Sequence, residues 1–243
     1  AENSAVTVAG FPNRWDLTIN GLHIADPKAA VGWTAPFVQV FAMTWKPWHI
    51  IAAFPPEQEV VLPDQLVTVD SEGLRASFRV KPAIDLPLAA VILESNRLTA
   101  GSTAGWTVGA GRSVTSISAD EEVSGAGDVP NTYVLSLEAA DVTPDPDFMA
   151  RGKAVTIPDL PPSGLPDTAD RLSGNIFVTL SAPLDRHAGD AKPYLTRVEV
   201  NQFTLVWGQL AASAKGLVEA DDQGFAAGEI TVEITNWDRL PAI

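Results

Sequence analysis

Residues Gly32 to Gln58, GWTAPFVQVFAMTWKPWHIIAAFPPEQ, constrain the fold more than any other stretch. Only Lys46 and Glu57 are formally charged there, and Pro36, Pro47 and Pro55-Pro56 divide it. Those prolines confine any helix to short pieces, because proline lacks an amide donor and pushes its predecessor out of the helical region. With its β-branched and aromatic content, the segment predicts strands. No uninterrupted apolar run reaches the ~18 residues of a membrane-crossing helix. Alternation along a strand puts Phe37, Gln39, Phe41, Met43 and Trp45 on one face and Val38, Val40, Ala42 and Thr44 on the other. Both faces are largely apolar, so the strand either sits between two layers or offers one face to a ligand groove. With the return run His49 to Phe54 it predicts a long hairpin at the centre of a sheet. Trp33, Phe37, Phe41, Met43, Trp45 and Trp48 are the candidates for an apolar ligand face or a core face.

The rest of the chain repeats the strand signal in shorter lengths. Trp15, Leu17 and Ile19 alternate with Asp16 and Thr18 before Asn20-Gly21, a hairpin dipeptide. Ala76, Phe78 and Val80 alternate with Ser77 and Arg79. Gly105 to Ala110, Ser113 to Ser118, Thr132 to Leu137, Ile176 to Ser181 and Arg197 to Trp207 continue the series, and Ile230, Val232 and Ile234 alternate with Glu229, Thr231 and Glu233. Strands about ten residues apart with turn residues between them predict an all-β, mainly antiparallel fold. That means a large curved sheet, a sandwich or an open barrel-like architecture with little helix. Residues 144–173 hold Pro144, Pro146, Pro158, Pro161, Pro162 and Pro166, and read as one Pro-rich connection with a helical turn at Asp167 to Leu172. The chain is then a single β-rich domain, 1–243, or two β subdomains, 1–143 and 174–243, joined by that connection.

Charge narrows the partners. The 243 residues carry 30 acidic against 16 basic side chains, a formal −14. Phosphate binding needs a basic footprint, which speaks against nucleic acid, and the same sign disfavours an anionic membrane surface. The absence of cysteine excludes disulfides, thiolate nucleophiles and Cys-ligated metal sites.

Motifs for chemistry are missing as well. Gly101-Ser102-Thr103-Ala104-Gly105 has the wrong spacing for a nucleophile elbow, and the glycines from Gly105 to Gly111 lack a phosphate-loop lysine and a dinucleotide fingerprint. No cofactor-binding or catalytic residue stands out. Asp185, His187 and Asp190 crowd one loop where a cation would find oxygen and imidazole, but a solvated hairpin tip explains them better. Asp141, Asp145 and Asp147 lack a calcium-loop glycine. His49, beside Trp48 on an apolar strand, reads as a satisfied core histidine.

Gly10-Phe11-Pro12-Asn13-Arg14-Trp15-Asp16-Leu17-Thr18, Ala25-Asp26-Pro27, Trp33-x-Ala35-Pro36-Phe37 and His49-Ile50-Ile51-Ala52 to Pro55-Pro56-Glu57-Gln58 resemble the bacterial envelope family called domain of unknown function 2125. Ala182-Pro183-Leu184-Asp185-Arg186 and Gly228 to Asn236-Trp237 carry the likeness onward. The Gly-Leu-x-x-Ala pattern at Gly21 to Ala25 and Gly216 to Ala220 is more distantly similar to AsmA-like envelope proteins, curved sheets with an apolar groove. The resemblance implies a periplasmic, β-rich protein tethered to the inner membrane by an anchor outside this chain. Three functions are then expected as alternatives. One is a non-enzymatic protein binding lipid or another apolar ligand in a groove. The others are an envelope scaffold that docks a protein partner through Trp48 or Trp106, and a hydrolase using acidic residues.

Overall fold

The computed structural model describes residues 1–120, 130–147, 166–221 and 223–236. In chain order the strands are β1 (Ala5–Ala9), β2 (Arg14–Asp26), β3 (Val31–Met43), β4 (Lys46–Ala53), β5 (Glu57–Leu62), β6 (Gln65–Glu72), β7 (Arg75–Val80) and β8 (Leu88–Ser95). They continue as β9 (Arg97–Ser102), β10 (Thr107–Ala110), β11 (Ser113–Ala119), β12 (Thr132–Val142), β13 (Ala169–Leu180), β14 (Leu195–Trp207), β15 (Leu210–Ala220) and β16 (Ala226–Thr235). A short helix, α1 (Ala188–Ala191), sits between β13 and β14. The strands form one open antiparallel sheet of 16 strands, the all-β architecture expected from the alternation.

Four pairs of these strands are halves of longer ribbons. β4 and β5 pair one after the other with β3, through Gln39↔Ala53 and then Thr34↔Glu59. β6 and β7 run together beside them, β8 and β9 beside those, and β10 and β11 beside those again. Among the described residues every ribbon then pairs with its neighbours in sequence, and the sheet is an up-and-down meander. Antiparallel neighbours need only short links, which is why turn residues recur at such regular spacing.

The breaks between the halves line up across the sheet as a crease. Pro55 and Pro56 cannot donate to a ladder. Ser71 fits itself to the gap, its amide donating to Pro56 O at 2.7 Å and its hydroxyl to Pro55 O at 3.3 Å. The next ribbons break at Gly73 (φ +66°), Asn96 and Gly111, and β12 kinks opposite at Asp141 (φ +51°). The main-chain bonds Asn96 N to Glu72 O and Gly111 N to Ala140 O, both 2.9 Å, hold the break closed. On the other side of Pro55 the line reaches Pro36 and Gly21 (φ +57°). Leu22, Ala35 and Val38 form a buried cluster here with Ile19, Trp33, Val40 and Phe54. Strict alternation would send Ile19 and Leu22, three residues apart, to opposite faces; the left-handed Gly21 between them brings both to one side.

Away from the crease the sheet is amphipathic. Ile50, Phe78, Val91, Ile117, Leu135 and Ile176 are direct cross-strand partners in succession. The row continues through Val200 and Gly216 to Ile230. On the opposite face Arg75, Glu94, Val114, Glu138 and Ser173 form an equivalent, mostly polar row. Among the described residues no second layer covers the apolar side: Phe78 is 42% exposed and Val232 58%. The chain exposes 15128 Å², against roughly 10,400 Å² for a compact monomer of this mass.

Four expectations need correction. Asn20-Gly21 makes no hairpin turn: it lies inside β2, which runs on to Asp26 along β3. β3 is an interior strand of a hairpin, but only β2 and β1 lie beyond it, so it is near one margin rather than central. Its faces are half-exposed rather than packed between layers. The helical turn expected from Asp167 to Leu172 is the start of β13, because Ala169 to Leu172 complete the ladder along β12 from Val142 to Ala139. Trp207 also donates its indole N–H to Pro166 O at 2.7 Å, drawing that entry against β14. Much of the Pro-rich connection, residues 148–165, lies outside the described residues, and β12 and β13 pair with each other across it.

Candidate functional site

An open trough of about 1080 Å³ lies on the apolar face at one end of β4, β7 and β8. Its floor is Trp48, Ile50, Phe78 and Leu88. One wall is the link from β7 to β8, bearing Pro82, Ala83, Ile84 and Leu86. That link is closed on itself by Lys81 N to Pro87 O at 2.9 Å and Leu86 N to Ala83 O at 3.1 Å. Leu86 takes a left-handed φ of +47°, and Ile84 is 81% exposed.

The other wall is Leu184, Asp185 and Arg186, from the link between β13 and β14. Backbone bonds dock it: Leu88 N donates to Leu184 O at 2.7 Å, and Arg186 N to Asp85 O at 3.0 Å. Beneath it Tyr133 is fully buried. Its hydroxyl accepts from Leu184 N at 2.6 Å and donates to Pro130 O at 3.0 Å. Burial raises the Tyr133 pKa above the usual 10, opposed by the Leu184 amide and helped by Asp185. The polar groups sit at the rim. Asp85 meets the Arg186 guanidinium at 3.5 Å and His187 Nε2 at 3.4 Å, and Asp185 accepts from the His187 amide at 2.7 Å. A cleft of this size with apolar walls and charge only at its edge suits a long apolar ligand more than a polar substrate.

Trp48 is the one candidate from the β3–β4 hairpin that lines this trough. Trp33 belongs to the crease cluster, edge-on to Phe54 at 5.9 Å with its indole N–H donating to buried Gln58 at 3.1 Å. Phe41 lies on the opposite face under the Arg14 guanidinium, 6.0 Å from the ring centre. Phe37 is half-buried, Met43 43% exposed, and Trp45, at the hairpin turn, 63% exposed. Trp106 is half-buried and donates to Gln65 at 2.8 Å. The walls at Ile84, Leu86 and Leu184 escaped the alternation reading because they come from links, not strands. Their signal is apolar residues beside prolines in the links, in PAIDLP and APLDR.

Among the described residues no three histidine or carboxylate side chains are grouped to hold a cation. Asp185 is occupied with the start of α1, and Asp145 accepts from Thr107 N at 2.9 Å. His49 is half-buried and pairs through Nε2 with Ser77 Oγ at 2.9 Å. Burial first, then Lys46 and Arg79, lower its pKa below 6.5. The charged form is thus disfavoured in the fold, so its contribution is complete above about pH 6.5 and is lost as pH falls through the lowered value. His49→Gln should flatten the stability-versus-pH curve just below neutrality; a denaturation midpoint that keeps its wild-type slope there would contradict this.

Residues 1–242 match the family model described as an uncharacterized protein conserved in bacteria, DUF2125. The chain belongs to that family. No curated protein and no solved structure matches it.

Proposed function

We propose that this family member is a non-enzymatic protein of the bacterial envelope, periplasmic and tethered to the inner membrane in its full-length form, that binds a lipid-like apolar ligand. The trough carries the reading. Its walls come from links that are closed on themselves and docked by backbone bonds, so it is built before any ligand arrives. Its volume of about 1080 Å³ lies just above the roughly 300–1,000 Å³ of small-molecule sites. The apolar row running on from Phe78 gives a long chain a surface to follow. Burying each methylene there is worth about 0.8 kcal/mol, so a ligand with many of them offsets the cost of its immobilisation.

The test is uptake of an environment-sensitive fluorescent fatty acid by the purified chain, followed by native mass spectrometry of the complex. Saturable fluorescence gain, displaced by an unlabelled fatty acid, is expected. A signal that rises without saturation, with no bound mass retained, would overturn the reading and leave the face to a protein partner.

A further inference from the structure

Outside the trough, the outer edge of β16 stands open among the described residues. All of Ala226–Thr235 is exposed, and among the described residues nothing pairs with its outer side. An open edge is a template for another strand, and chains usually blunt it with proline, lysine, a bulge or shortness. β16, AAGEITVEIT, is 10 residues long with no proline or lysine and only Glu229 and Glu233 as charges, and its ladder to β15 runs without a slip from Ala220↔Ala226 to Ala211↔Thr235. At the other end of the sheet β1 is only 5 residues long. Ile230, Val232 and Ile234, at 49%, 58% and 41% exposure, carry the apolar face to that open edge.

We propose that this edge pairs with the same edge of a second copy, antiparallel about a two-fold axis through Val232. The strand's own charge pattern selects both occupant and register. Only registers that keep the alternation in phase place the three apolar side chains on the same side in both copies. An axis at Thr231 sets Glu229 against Glu233 twice, and like charges directly opposite destabilise a pair. An axis at Glu233 sets that carboxylate against itself. An axis at Ile230 spends Val232 and Ile234 on Gly228 and Ala226. With the axis at Val232, valine meets valine, Ile230 meets Ile234, Thr231 meets Glu233 and Glu229 meets Thr235. No carboxylate faces another, and the apolar face continues unbroken into the second sheet. Such a self-complementary contact closes after two copies. The formal −14 of each chain opposes approach, and salt screens that repulsion beyond about 8 Å at physiological ionic strength, so association strengthens as salt is added.

The test combines light-scattering mass with substitutions on the edge. The wild-type chain should show twice its monomer mass, more completely in higher salt. T235K places an ammonium opposite Glu229 of the second copy while its own-chain partner is the uncharged Ala211, so it should tighten the dimer, and T235E should loosen it, each by about three- to tenfold. Since the chain has no cysteine, V232C adds a single thiol that should oxidise to a covalent dimer faster than an A5C control on β1. A monomer mass throughout overturns the proposal. Loosening by both Thr235 substitutions would overturn this register, and equal oxidation of the two thiols would overturn the contact itself.

Discussion

Phe78→Asp should cost about a hundredfold in affinity for a fatty-acid probe while leaving the far-ultraviolet spectrum of the sheet intact. The ring lies on the trough floor and is 42% exposed, so the fold loses little when a carboxylate replaces it. A bound acyl chain loses both the ring's contact area and a dry environment, together about 3 kcal/mol. Ile51→Asp is the matched control. That residue is 40% exposed on the next ribbon and is the direct partner of Ser77 on the opposite face, so uptake should survive there. Equal loss from both substitutions would show that the trough is not where the probe sits.

Tyr133→Phe should lower stability by about 1–3 kcal/mol, because the Leu184 amide and the Pro130 carbonyl both lose their partner in a buried place. The effect has a second reading in pH. The raised pKa of Tyr133 means that the fold favours the neutral phenol, so its contribution is complete below pH 10 and fades as pH rises through the raised value. Chemical denaturation across the alkaline range should show wild-type stability falling toward that of Tyr133→Phe. The two curves running parallel would contradict this. Because the same hydroxyl anchors the Leu184 wall, the substitution should also weaken probe uptake, by less than Phe78→Asp does.

How much of this was visible in the residues depends on distance along the chain. The β3–β4 hairpin was legible because Pro36, Pro47 and Pro55-Pro56 exclude a helix and the alternation between them is local. The meander was legible for the same reason, strand by strand. Which face of β3 matters was not. Phe37 and Phe41 look like the richer face, yet the long apolar row runs through Ala42 and Ile50, since their pairing decides which side chains stand together. The trough was hidden because Ile84 and Leu184 meet only through the docking of two links a hundred residues apart. Nor does alternation distinguish a strand in one half-covered layer from a strand in a sandwich. The Asp167 to Leu172 misreading has a related cause, since a ladder offered by β12 outweighed a local capping signal.

Pairing only between successive ribbons has a mechanical corollary. The ladders and the crease bonds join successive ribbons, and the docked wall joins distant ones, so stability accumulates largely ribbon by ribbon, as in a solenoid. Such a chain frays from its two ends inward, and trimming a terminal ribbon shortens the sheet without dismantling what remains.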